Sequence, residues 1–209
     1  MSLDGLINNN SLDESSEIDD FTEDRYLLLS RHFRPETRDV LDIGCNTGRG
    51  GAAIKARFPL LRIVGIDCVS SRLQALDPNI YCGHLEGFAH SVAMPDASFD
   101  AIIAAEIIEH IPPALVFPSL CECFRLLRLH GRLLLTTPNP SSLRRRLRGL
   151  TILGDCHVSQ HTIASLRRRL EDASFSRIRT FGSGRVTSIL GTRWPNWVYG
   201  SYAAIAEKW

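Results

Sequence analysis

Three ionisable side chains lie close together in the sequence, just after an apolar run that ends at Ala105. They are Glu106, Glu109 and His110. Two carboxylates held near each other repel unless a proton or a cation lies between them. If the segment turns helically, the three side chains share one face, because positions three and four apart are neighbours on a helix. We therefore predict that Glu109 and His110 are catalytic, either as proton-transferring groups or as ligands of Mg²⁺, Mn²⁺ or Fe²⁺, which oxygen and imidazole donors suit.

A glycine-rich turn follows an earlier apolar run, in the sequence V-L-D-I-G-C-N-T-G-R-G-G at 40–51. Glycine permits positive φ angles and lets a backbone approach a ligand closely. Asn46 stands where a dinucleotide site has the glycine that admits pyrophosphate, and no G-K-[ST] sequence follows as in a phosphate-binding loop. The turn therefore favours a ligand without a pyrophosphate group and disfavours a nicotinamide dehydrogenase.

Asp67 ends the next apolar run, 19 residues after Gly48. A carboxylate at that place accepts hydrogen bonds from the hydroxyls of a ribose. The alternative is an aspartate that only caps the following helix. Together, the glycine turn and Asp67 predict a site for an adenosine-type ligand.

Short apolar runs alternate with helical patterns from Pro35 onward, and this alternation predicts the fold. Runs without polar alternation suit strands covered on both faces, and strand–helix alternation suits parallel pairing. We predict an α/β fold, a Rossmann-like open sheet, mostly parallel, of about seven strands with helices on both faces. Ligands bind such sheets beyond the carboxyl ends of the strands, where Cys45, Asp67 and Ala105 lie. The predicted strands are 40–45, 63–66, 80–82, 99–105, 133–137, 177–181 and 199–207, and the predicted helices are 18–33, 50–58, 70–77, 114–129 and 162–172.

The chain of 209 residues is long enough for one domain with its own core. Residues 1–18 are polar and acidic without apolar periodicity, so we expect a poorly ordered tail ahead of a single domain at 19–209. Charge is uneven: residues 1–30 carry eight acids and one base, whereas residues 141–209 carry twelve bases and four acids. The basic region is either a solvated face or a surface that attracts an anionic partner.

The sequence has no apolar run of 18 residues and no secretory leader pattern at its start, so we expect no transmembrane segment and a cytoplasmic location. Six scattered cysteines without a C-x-x-C pair predict reduced and mostly buried thiols rather than disulfides or a thiolate zinc site.

Three segments resemble the motifs of one family, the class I S-adenosylmethionine-dependent methyltransferases. Residues 41–48 (L-D-I-G-C-N-T-G) resemble its first motif, residues 94–100 (M-P-D-A-S-F-D) the stretch before its fourth strand, and residues 130–139 its fifth-strand motif ending in T-P-N. The resemblance covers about residues 35–209 and implies an enzyme that uses S-adenosyl-L-methionine. The cofactor-binding residues that it implies are Asp42, Gly44, Cys45, Asn46, Gly48, Asp67, Cys68, Leu85 and Glu106.

The E-x-x-E-H pattern at 106–110, with His157 ahead of a later helix, resembles a UbiG/UbiE-like branch that contains metal-dependent O-methyltransferases. This resemblance implies that Mg²⁺ or Mn²⁺ is held by four residues, which are Glu106, Glu109, His110 and His157. In metal-free relatives the glutamate shapes the cofactor pocket and the histidine packs or orients, and both interpretations stay open.

The function predicted is O-methylation of a hydroxyl on a small molecule, a glycan or an RNA end, with metal assistance as an open addition. A small-molecule or glycan acceptor is favoured, and the arginines at 144–148 offer contacts to RNA phosphates. The alternatives are metal-independent N- or C-methylation and a non-catalytic S-adenosylmethionine-binding subunit. The helix at 18–33 is predicted to cover the cofactor.

Overall fold

The structure is a computed structural model that describes residues 3–11, 19–154, 156–184 and 195–209. Within these ranges one sheet contains seven strands: β1 Asp39–Ile43, β2 Arg62–Asp67, β3 Tyr81–Glu86, β4 Phe99–Ala105, β5 Leu127–Pro138, β6 Ser176–Gly182 and β7 Ser201–Glu207. The α-helices are α1 Leu3–Ser11, α2 Thr22–Ser30, α3 Arg49–Arg57, α4 Ser70–Leu73, α5 Pro113–Leu126, α6 Leu143–Leu147 and α7 Ile163–Asp172. Short 3₁₀ helices span Ile108–His110 and Asn196–Val198.

The strand order is β3-β2-β1-β4-β5-β7-β6, with β1 to β5 parallel and β7 antiparallel to both of its neighbours. The chain adds β2 and β3 on one side of β1 and then returns to add β4 on the other side, so the strand order reverses between the neighbouring strands β1 and β4. The carboxyl ends of β1 and β4 are therefore the place where a crevice forms. The predicted Rossmann-like, mostly parallel sheet is confirmed.

The core is split into two layers, one on each face of the sheet. Along β4, Ile102 faces the layer built by α5 and α7, whereas Ile103 faces the layer that contains residues of α2 and α3. Both side chains are fully buried. Burial on alternate sides explains why the run shows no polar alternation.

The bounds of one helix and one strand differ from the predictions. The helix predicted over 18–33 is observed only at Thr22–Ser30, and the strand predicted from 133 begins at Leu127. None of the helices in the described part of the chain is long and apolar enough to cross a membrane.

Leu3–Ser11 is helical in the part of residues 1–18 that the structure describes, and the expectation of poor order for this segment stays a prediction. The carbonyl of Asn10, in the last turn, accepts a hydrogen bond of 2.7 Å from the guanidinium of Arg72. A cation at the carboxyl end of a helix is favourable, and this contact leaves no apolar pattern in the sequence. Residues 1–2 and 12–18 lie outside the described residues, and the domain boundary after residue 18 stays a prediction.

The six cysteines are free thiols, as predicted, but fewer of them are buried than expected. Cys45 and Cys123 are buried and Cys82 is exposed, whereas the other three are partly exposed. The partly exposed thiols include Cys68, which follows β2, and Cys156, which lies in the loop before α7.

Candidate functional site

A cavity of about 320 Å³ lies at the carboxyl ends of β1, β2 and β4. This volume is within the range of small-ligand sites. Of the residues implied to bind the cofactor, those that line the cavity are Gly44, Cys45, Asn46, Asp67, Cys68 and Glu106. Glu109, His110 and His157 line the same cavity. One cavity therefore joins the glycine turn to the ionisable cluster.

The glycine turn between β1 and α3 depends on left-handed backbone conformations. Gly44 has φ +70°, Asn46 has φ 49° and Gly48 has φ 90°. A Cβ atom at position 44 would lie 2.2 Å from the side chain of Ile107, so a larger residue cannot fit without displacing it. Asparagine tolerates the left-handed region better than most residues, which explains how Asn46 stands where a dinucleotide site has a glycine.

Asp67 holds the turn and caps the next helix at once. Its Oδ2 accepts the backbone N–H of Asn46 at 3.0 Å, and its Oδ1 accepts the N–H of Val69 at 2.9 Å. A carboxylate offers about four lone-pair directions, so each oxygen keeps capacity for another donor. The side chain borders the cavity, and its role in holding a ribose stays a prediction.

Asp42 does not line the cavity, and its contact with the cofactor stays a prediction. Its carboxylate is fully buried and accepts hydrogen bonds of 2.7 Å from the hydroxyls of Tyr26 and Tyr81. Burial raises the pKa of Asp42 to about 6, although the two tyrosine hydrogen bonds lower it. The three side chains tie α2 and β3 to β1 beneath the turn.

Leu85 and Gly48 are likewise absent from the cavity lining. Leu85 lies within β3, and the cavity instead reaches the loop that follows, at 87–89. Phe88 and Ala89 are thus the positions after β3 that border the ligand space, a shift of a few residues that the strand's unpredicted length explains.

Helix α2 covers one side of the cavity with Thr22, Arg25 and Tyr26, as the predicted covering role requires. The guanidinium of Arg25 pairs with Asp19 and lies 3.7 Å from Glu106 Oε1. The sequence analysis missed Arg25 as a site residue. Its one distinguishing mark is that it is the lone base among the first 30 residues.

Glu106, Glu109 and His110 do not share a helical face, which the sequence implied only if the whole segment turned helically. Glu106 has φ +53°, and the 3₁₀ helix begins only at Ile108. Glu109 is fully buried, and its Oε2 accepts a hydrogen bond of 2.9 Å from Thr137. Burial, and then the neighbouring Glu106 carboxylate, raises the pKa of Glu109 well above its usual range.

The four residues implied to bind Mg²⁺ or Mn²⁺ are not assembled as one ligand set. In the described ranges, the donor atoms that all lie within 4.8 Å of one another belong to His110, Cys156 and His157, and neither glutamate is a member. A thiol and two imidazoles are poor ligands for a hard ion such as Mg²⁺. The residues therefore do not fit the magnesium or manganese site that the resemblance implied.

Comparison of the sequence with protein-family models matches residues 16–179 to the methyltransferase domain. The match spans more than half of the chain. The chain belongs to the methyltransferase-domain family.

Individual relatives agree with this assignment. The chain is 33% identical over 150 residues to a probable S-adenosylmethionine-dependent methyltransferase of Mycolicibacterium smegmatis, covering 69% of this chain and 54% of the relative. It is 32% identical over 122 residues to a demethylmenaquinone methyltransferase of Thermotoga maritima, covering 58% of this chain and 52% of the relative. The chain thus spans about half the length of these curated relatives.

A solved structure shares the fold. A methyltransferase from Archaeoglobus fulgidus, described as S-adenosylmethionine-dependent, superposes with a TM-score of 0.68 at 20% identity, covering 88% of this chain and 94% of the other. The likeness supports the seven-stranded topology of the methyltransferase domain.

We predict that Gly44→Ala destabilises the methyltransferase domain by at least about 2 kcal/mol, because a left-handed alanine costs about 1–2 kcal/mol and its Cβ displaces Ile107. Urea unfolding measures the effect. Gly83→Ala is the matched control, since a Cβ there meets nothing within 4 Å. Equal stabilities for the two variants would show that the turn is not constrained as described.

We also predict that burial of Asp42 makes stability depend on pH. A carboxyl whose pKa rises from 3.8 to about 6 on folding keeps its proton more readily in the fold, so ionisation opposes folding increasingly between about pH 4 and pH 6. The unfolding free energy of Asp42→Asn, minus that of the wild type, should therefore rise by about 3 kcal/mol across that window. A difference that stays constant with pH contradicts the burial argument.

Proposed function

We propose that this chain is an S-adenosylmethionine-dependent methyltransferase whose acceptor carries a proton on the attacking atom. The observation that supports it is one cavity that is lined both by Asp67 with the glycine turn and by His110 with His157. The family assignment supplies the reaction type, and the cavity supplies both halves of the site that such a reaction needs.

The cofactor side fits a nucleoside with a positively charged sulfur. S-adenosyl-L-methionine is the cofactor of this methyltransferase family, and when bound it supplies a methyl group on a sulfonium. In this chain Asp67 would accept the ribose hydroxyls, and the backbone of Gly44 to Asn46 would lie against the ligand. Glu106, at the end of β4, would add negative charge near the cation.

The acceptor side is built from His110, His157 and Glu109. The imidazoles border the cavity with their ring centroids 4.8 Å apart, and a ring nitrogen there can accept the proton of an acceptor group. Glu109 is a positioning residue, since its backbone carbonyl accepts the N–H groups of Val158 and Ser159 at 2.9 and 3.0 Å. Those two hydrogen bonds hold the loop of His157 against the turn of His110.

We favour transfer to oxygen on a small molecule or glycan. A fatty-acid O-methyltransferase of Mycolicibacterium smegmatis is 29% identical over 132 residues, so oxygen acceptors occur among proteins similar to this chain. The arginines at 144–148 are not part of the cavity lining, which argues for a small acceptor over an RNA end. A cytoplasmic location stays a prediction from the sequence.

The proposal is tested by incubating the purified chain with methyl-labelled S-adenosylmethionine and catechols, sugars, lipids or small RNAs. Label in a hydroxyl-bearing acceptor supports the proposal. Label on nitrogen or carbon supports the alternative acceptor class, and binding without transfer to any acceptor supports a non-catalytic subunit. If the chain binds NAD⁺ but neither S-adenosylmethionine nor S-adenosylhomocysteine, the proposal is overturned.

Asp67→Asn should weaken binding of S-adenosylhomocysteine about 10- to 150-fold, because hydrogen bonds to a charged group contribute about 1.5–3 kcal/mol. Calorimetric titration measures the affinity. Asp96→Asn is the control, since that carboxylate is 77% exposed and pairs with Arg125 on the surface. If Asp67→Asn and Asp96→Asn bind S-adenosylhomocysteine with equal affinity, the ribose does not contact Asp67.

His110→Ala should lower methyl transfer at least about 100-fold, the usual loss when a proton-transferring or acceptor-orienting group is removed. Its affinity for S-adenosylhomocysteine should stay within about threefold of wild type if the residue serves the acceptor. His130→Asn, at the amino-terminal part of β5, is the control for loss of an imidazole. Unchanged transfer by His110→Ala excludes this residue from the reaction.

A further inference from the structure

One cluster of donor atoms has no part in the cofactor side of the cavity. His110 comes from the 3₁₀ helix after β4, and Cys156 and His157 come from the loop before α7. Their donor atoms all lie within 4.8 Å of one another, and each residue is partly exposed. We propose that these three residues bind a Zn²⁺ ion whose fourth coordination position faces the cavity.

The backbone holds the two ligand-bearing segments together without the ion. Gly154 and His157 exchange two backbone hydrogen bonds, of 2.9 and 3.2 Å, which hold His157 against Gly154. Two further backbone hydrogen bonds run from Val158 and Ser159 to the carbonyl of Glu109, next to His110. The three donors are therefore placed by hydrogen-bonded main chain rather than by loose loops, as a preorganised site requires.

The ring of His157 is oriented as in a metal ligand. Its Nδ1 lies 3.2 Å from the carbonyl oxygen of Ile152. A carbonyl only accepts, so Nδ1 carries the proton and donates it, which leaves Nε2 as the free lone pair. Ligating histidines commonly donate their second ring N–H to a backbone carbonyl in this way.

The donor set selects the kind of ion. One thiolate and two imidazoles suit Zn²⁺ at about 2.3 and 2.0 Å, and a tetrahedral site brings such donors to roughly 3.5 Å from one another. Side-chain movements of about 1 Å would bring the three donor atoms from their present separations, of up to 4.8 Å, to that spacing. Three protein ligands with an open fourth position are typical of catalytic rather than structural zinc.

The lining of the cavity indicates where the open position of the ion would lie. His110 and His157 line the cavity, whereas Cys156 does not. The two imidazoles would therefore hold the ion next to the ligand space, with the thiolate away from it. This inference rests on the proposed function. The ion, rather than a ring nitrogen, would contact the heteroatom of the acceptor. A thiol or hydroxyl bound to such an ion loses its proton more readily.

The test uses the full chain without an affinity tag of histidines, stripped with a chelator and titrated with Co²⁺ as a spectroscopic substitute for zinc. We expect one ion per chain, a cobalt–thiolate charge-transfer band in the near ultraviolet, and displacement of that band by one equivalent of Zn²⁺. Absence of the band, or its survival in Cys156→Ser, overturns the proposal.

Matched variants separate the site from other thiols and imidazoles. Cys156→Ser should lose the band and His157→Gln should weaken Zn²⁺ affinity at least about 100-fold, whereas Cys82→Ser, an exposed thiol on β3, should match wild type. Circular dichroism melting confirms that each variant is folded. If the chain binds neither Co²⁺ nor Zn²⁺ at this cluster but still binds S-adenosylhomocysteine and transfers methyl groups, the zinc proposal fails while the proposed function stands.

Discussion

The hydrogen bond from the backbone N–H of Asn46 to the carboxylate of Asp67 is the interaction on which the cavity depends. It fixes the left-handed turn after β1 against the end of β2, while Ile107 fills the space that a side chain at position 44 would need. Beneath the turn, the buried carboxylate of Asp42 ties α2 to the sheet through Tyr26. The glycine turn, the end of β2 and helix α2, which all border the cavity, are therefore held together by connected contacts.

The acceptor side depends on a second, separate constraint. Glu109 is buried between the sheet and the loop before α7, with Thr137 donating to its side chain and the loop donating to its backbone carbonyl. The Glu109 side chain and backbone carbonyl are therefore held in place, and a catalytic part for its carboxylate stays a prediction. His110 and His157 consequently face the cavity as a pair, although 46 residues separate them in the sequence.

The sequence predicts the sheet well because burial on both faces produces apolar runs without alternation, and β4 is observed at the predicted residues 99–105. The turn after β1 was predictable because its left-handed backbone favours glycine. The position of Asp67 was predictable because it ends the apolar run of β2. The sequence left open whether the segment of the ionisable cluster turns helically. The left-handed conformation of Glu106 keeps that residue out of the 3₁₀ helix, and nothing in a glutamate's identity indicates such a conformation. The pairing of His110 with Cys156 depends on backbone hydrogen bonds between distant segments, which leave no pattern in the sequence.

A crystal structure of the chain with S-adenosylhomocysteine tests the central claim most directly. The account predicts the ribose hydroxyls within hydrogen-bonding distance of the Asp67 carboxylate, the backbone of the glycine turn against the ligand, and the sulfur atom on the side of His110. Ligand density elsewhere on the molecule, or a ribose turned away from Asp67, would contradict it.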